Sequence, residues 1–102
     1  MALRQLVVTL GSGTRTQSTA TRTPCVEAWI EAAQGNAADV EMGDKNVTTT
    51  VFGRRLPKST ATGTNPGAYI HLGPHPRGAF NLEDIWFAGT ADDVVNIIYV
   101  RY

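Results

Sequence analysis

Val94-Val95-Asn96-Ile97-Ile98-Tyr99-Val100-Arg101-Tyr102 is the stretch whose reading decides the fold. Its β-branched and aromatic residues favour extended backbone. Alternation then puts Val94, Ile98, Val100 and Tyr102 on one face and Val95, Ile97 and Tyr99 on the other. A strand on the wall of a monomeric sandwich keeps one face wet. Two apolar faces predict that part of this strand's outside is covered by another subunit, and Trp29 and Trp86 on nominal outer faces point the same way.

Outward from that strand, short apolar pieces are cut apart by 10 glycines and 5 prolines, the pattern of an all-β sandwich with frequent turns. Leu3 to Leu10 places Leu6, Val8 and Leu10 on one face, a strand ended by Gly11-Ser12-Gly13. Pro24 to Ala33 fits two periods. Val26, Trp29, Ile30 and Ala33 make a helical stripe behind Thr23-Pro24, while Val26, Ala28, Ile30 and Ala32 alternate with Cys25, Glu27, Trp29 and Glu31 as a strand. Val40 to Met42, Val47 to Phe52, Ala68 to Leu72, Phe80 to Leu82 and Ile85 to Ala88 complete roughly seven or eight strands. Gly89 to Asp93 is expected to turn the last pair into a hairpin. Gly73 to Gly78 is expected to be a stiff loop, since its prolines fix φ and remove donors.

Two polar stretches lack apolar periodicity. The thirteen threonines concentrate in them, in Thr14 to Thr23 and Thr48 to Thr64. We expect the segment near residues 11–23 to be an extended arm or loop with nothing local to pack against. Together with Arg54 to Asn65 it would bridge subunits or contact a partner through Arg15, Arg22, Arg54, Arg55 and Lys58.

Composition excludes more than it assigns. At 102 residues one domain, 1–102, is expected, with a core large enough to need neither metal nor disulfide. Nine basic and nine acidic residues cancel, and Arg54-Arg55 is the densest basic cluster, so nucleic acid is not an expected partner. One cysteine cannot pair internally, no apolar run reaches membrane-spanning length, and the start lacks a signal-peptide pattern, so synthesis in the cytoplasm is the expectation.

Several residues could carry chemistry. His71 and His75 stand four apart, but Pro74 and Pro76 exclude the helix that would bring them together. Asp92-Asp93 and Glu83-Asp84 are acidic pairs without a calcium-loop spacing, and they read as solvated turn residues bonding their own backbone. Gly11-Ser12-Gly13-Thr14 lacks the ending of a phosphate loop, and Cys25 reads as a small semi-buried side chain. No catalytic residue, cofactor or metal site is expected.

The order Cys25, Asn36, Asp39-Val40-Glu41-Met42-Gly43-Asp44, Asn46-Val47-Thr48 and Leu82-Glu83-Asp84-Ile85-Trp86-Phe87-Ala88-Gly89-Thr90-Ala91-Asp92-Asp93-Val94-Val95 resembles small virion proteins of tailed bacteriophages, the capsid decoration (cement) proteins above all. The likeness runs from Pro24 to Tyr102 and departs from the pattern at Asp92, where glycine is usual, and across Arg54 to Ala79. It implies a single-domain, jelly-roll-like antiparallel β-sandwich, strand rather than helix for Pro24 to Ala33, and no catalytic residue. It also implies a homotrimer, favoured over a dimer, that binds the major capsid protein on the surface of the virion. The interface expected from these readings is Trp29, Trp86, Arg54, Arg55, Val95, Ile97 and Tyr99. The alternative is a carbohydrate- or host-surface-binding accessory module of the head or tail, with Trp29, Trp86 and Tyr69 stacking on sugar rings.

Overall fold

The computed structural model describes residues 2–12, 15–58, 69–74 and 80–101. Among these residues the chain forms β1 (Ala2–Thr9), β2 (Thr16–Gln17), β3 (Pro24–Ala32), β4 (Val40–Gly43), β5 (Arg54–Leu56), β6 (Tyr69–Leu72), β7 (Phe80–Asn81), a 3-10 turn (Leu82–Asp84), β8 (Trp86–Ala88) and β9 (Val94–Arg101). All pairings are antiparallel. The larger sheet has the order β1-β9-β3-β6, with β7 also on β3, and the smaller has β2-β8-β4-β5. Among the described elements, only β4–β5 and β6–β7 follow one another within a sheet; every other connection crosses between the two.

Alternation sends one side chain in two into the space between the sheets. Leu6 and Val8 from β1, Ala28, Ile30 and Ala32 from β3, Val40 and Met42 from β4, Phe87 from β8 and Val95 and Ile97 from β9 meet there. Leu56 and Leu82 complete this core and are fully buried. The β-sandwich expected from the turn punctuation is therefore the fold.

Pro24 to Ala32 is a strand, carrying a bulge that the alternation does not reveal. Cys25 lies opposite Arg101 and Glu27 opposite Val100, which leaves Val26 as an extra residue. The bulge reverses the expected side of Cys25, which joins Ala28, Ile30 and Ala32 in the core at zero exposure. Burial pushes the Cys25 thiol up, partly offset by a hydrogen bond involving the Leu82 backbone and by the charge of Arg101. The thiol donates to the Thr23 carbonyl at 3.2 Å.

Four further expectations need correction. Val47 to Phe52 is not a strand. The Thr48 hydroxyl accepts from the Thr50 and Val51 amides, and the Thr48 amide donates to the Val51 carbonyl, so local bonds replace a ladder. Val47 still reaches the interior at 1% exposure and passes so close to Gly43 that a Cβ there would sit 3.1 Å from it. The returning strand is instead β5, which pairs Met42 with Arg54 and Val40 with Leu56.

Gly89 to Asp93 makes no hairpin either, because β8 pairs with β2 and β4 while β9 pairs with β1 and β3. The segment carries the chain from one sheet to the other, through Asp92 at φ 70°. Asp93 is buried, and its carboxylate accepts the amides of Ala37 at 2.8 Å and Ala38 at 3.2 Å, across the molecule instead of on its own turn. Asn36 braces the same corner, its amide group donating to the Val94 carbonyl and accepting from the Val94 amide.

The arm is part of the domain where it is described. Thr16 and Gln17 pair with Phe87 and Trp86, and buried Ser18 donates through its hydroxyl to the Leu82 carbonyl and through its amide to the Ile85 carbonyl. Thr23 donates its amide to the Asn81 side chain, which also caps the 3-10 turn. Residues 13, 14 and 59–68, where the rest of the two expected bridging segments falls, lie outside the described residues, as do His75 and Tyr102.

Candidate docking surface

The outward half of the larger sheet is built by the same alternation that fills the core. Register places Gln5, Ile98, Trp29 and His71 side by side across β1, β9, β3 and β6. One step along, Val7, Asn96, Glu31 and Tyr69 form the next row, and on the other side Leu3, Val100 and Glu27 form a third. Cross-strand neighbours of this kind interact as pairs. Leu3 at 68%, Val7 at 58%, Tyr69 at 62% and Ile98 at 46% are the exposed large apolar side chains of this face.

Its centre is ordered by side-chain contacts. The Trp29 and His71 rings stack with centroids 5.1 Å apart and planes 6° from parallel. His71 Nε2 lies 2.6 Å from Glu27 Oε2, which fixes the imidazole against the indole. An open cleft of about 210 Å³ runs beside them, lined by Trp29, Glu31, Tyr69, Asn96 and Ile98. Such a surface offers flat apolar contact with a few polar groups at its rim, the composition of a recognition patch.

The expected interface residues do not come together. Trp29 stands on this face. Val95 and Ile97 point into the core with 0% and 1% exposure and cannot meet a partner as expected, while Tyr99, on the same side of β9, packs half-buried against that core. The outward set of β9 is Val94, Asn96, Ile98 and Val100. Asn96 was the available signal, since a polar residue interrupting one of two apolar faces marks the wet one. Trp86 is half-buried on the smaller sheet beside Asp44, Lys45 and Asp84. Arg54 and Arg55 are exposed on β5, where Arg55 stacks on the Phe52 ring at 4.6 Å.

On that second sheet Glu41 lies between Arg55 and Ala88, with 6% exposure and its Oε2 without a hydrogen-bond partner. Burial pushes its carboxyl up, Arg55 pulls it part of the way back, and Asp39 adds to the rise. Among the described residues, no three His, Cys, Asp or Glu side chains gather as a metal-ligating group. No family model, curated protein or solved structure matches the chain.

Proposed function

We infer that the chain is a structural binding module that docks on an assembled protein shell through the outer face of its larger sheet, as a capsid decoration protein of a tailed bacteriophage would. The observation that carries this reading is the apolar band of exposed Ile98 and Tyr69 with half-buried Trp29 between them, flanked by exposed Leu3 and Val7. Exposed apolar groups concentrated on one rigid face mark interaction sites. The crossing of the chain between sheets at nearly every connection supports the jelly-roll-like form of the sandwich. A rigid module seated across neighbouring shell subunits stabilises the assembled form by mass action.

Buried aromatic anchors dominate such interfaces, and truncating one costs about 2 kcal/mol or more. Trp29→Ala is therefore expected to lower occupancy on purified phage shells at least tenfold, measured by co-sedimentation, while Trp86→Ala leaves it unchanged. Equal occupancy for Trp29→Ala and the parent would overturn the reading.

A second reading rests on the cleft between Trp29 and Tyr69, where Glu31 and Asn96 offer hydrogen-bonding groups beside an aromatic wall, as a sugar ring requires. Specific signal on a glycan array, lost in Tyr69→Ala, would favour it over shell docking.

A further inference from the structure

The edges of the two sheets are unequal. Those of the smaller sheet are β2, of two residues, and β5, of three, and β6 on the far side of the larger sheet has four. Short strands are a common protection against edge-to-edge pairing. β1 has no such protection. It runs eight residues in unbroken register with β9, from Ala2 opposite Arg101 to Thr9 opposite Val94, with no proline and no bulge. Among the described residues it has a neighbour on one side only. Its outward residues Leu3 and Val7 are also the most exposed aliphatic side chains of the sheet.

We propose that β1 pairs antiparallel with β1 of a second copy, about a two-fold axis at Gln5, to make one sheet continuous through both molecules. The register follows from the residues. A two-fold axis perpendicular to the sheet keeps both outer faces on one side, so Leu3, Gln5 and Val7 must face residues of their own parity. Centring on Gln5 sets Leu3 against Val7 of the second copy and Val7 against its Leu3, two apolar cross-strand pairs. Centring on Arg4 would oppose two guanidinium groups, which destabilises a pair. Centring on Leu6 would set Leu3 against Thr9 and Val7 against Gln5, and so waste the apolar match.

Arg4 stands on the side of β1 that carries Leu6 and Val8, the inward charge that some edges use against pairing. In the Gln5-centred register it meets Leu6 of the second copy, over which its aliphatic stem lies while the charge stays in water. The resulting assembly is two-fold, in place of the trimer expected from sequence. It presents two copies of the Trp29 face on the same side, a bivalent surface. The pairing does not depend on what that face binds.

The register makes a test by cysteine placement decisive, using the full chain. In antiparallel pairs opposed Cα atoms are about 4.5 or 5.5 Å apart, both within disulfide reach. Gln5→Cys is expected to give a disulfide-linked dimer on mild oxidation. Leu3→Cys and Val7→Cys should each stay unlinked alone but link when mixed. Native Cys25 is buried and stays silent. Light scattering should give twice the 11.0 kDa of one chain for the parent and a single chain for Val7→Lys, with the thermal melt of Val7→Lys confirming that it is folded. A parent of single-chain or three-chain mass overturns the proposal. So does a doubled mass in which Gln5→Cys links no more than Val7→Cys alone and the Leu3→Cys and Val7→Cys mixture does not link.

Discussion

The outer faces of the two sheets are made by one rule and dressed in opposite ways. On the larger sheet, outward positions carry Leu3, Val7, Ile98 and Tyr69 largely in solvent, with Trp29 between them. On the smaller sheet the corresponding layer holds Gly43, Ala88 with no exposure, and Glu41 almost wholly buried, and Arg15 reaches across to donate to the Lys45 carbonyl. One face therefore leaves apolar area for a partner, while the other has its central positions already covered. Burial of apolar area drives association, so the difference favours the first face for the docking proposed above and leaves the second a structural task.

The largest effect is expected where the two sheets are joined. Asp93 closes the crossover from β8 to β9, and its carboxylate satisfies two amides near the end of the connection from β3 to β4. Asp93→Ala would leave the Ala37 and Ala38 amides without that acceptor, and each part-buried bond to a charged group contributes about 1.5 kcal/mol. We expect a loss of about 2–4 kcal/mol in urea unfolding, with both sheets melting together. A variant in which Trp29 fluorescence survives after Trp86 fluorescence is lost would show instead that the sheets are separable units.

How much of this was legible in the sequence depended on which contacts each residue makes. Strands with an unbroken period of two, β1 and β9, were readable as strands, and in β1 the inward face was readable too, because local alternation and burial agree there. The β3 bulge was not, since the displacement of Val26 is set by pairing with Arg101 and Val100, about seventy-five positions away in the chain. Val47 to Phe52 has the composition of a strand, but Thr48 closes a turn by bonds that β-propensity does not count. At the proposed docking face Trp29 was legible, whereas Val95, Ile97 and Tyr99 were placed outside because two apolar faces gave no ranking beyond Asn96. The Glu27–His71 contact joins residues 44 apart and has no sequence signature.

A smaller effect separates the two faces by pH. Folding holds the Glu41 carboxyl in a site that favours its protonated form, so its folded pKa stands above the ordinary 4.5. The folded state then binds this proton more tightly than the unfolded state does. Stability falls as pH rises from below 4.5 through the folded value, and the cost is constant above it. Glu41→Gln removes that charge. It is expected to match the parent in acid and to exceed it at pH 7, read from urea midpoints across the pH range. A variant less stable than the parent at pH 7 would mean that the attraction to Arg55 outweighs burial.

The smallest effect belongs to Arg54 and Arg55. Both are exposed, and Arg55 rests on Phe52 in an arrangement that contributes about 0.5–1 kcal/mol at an exposed site. They sit on β5, in the layer opposite Trp29, and a rigid sandwich cannot seat both of its outer faces on one flat surface. Replacing both by Ser should lower the melting temperature by a few degrees at most and leave shell occupancy and its salt dependence as they are. Lost occupancy together with a flatter salt dependence would move docking to the smaller sheet. In that case the apolar band on the larger sheet would need another occupant, and the pairing through Gln5 would still stand or fall on its own cross-link.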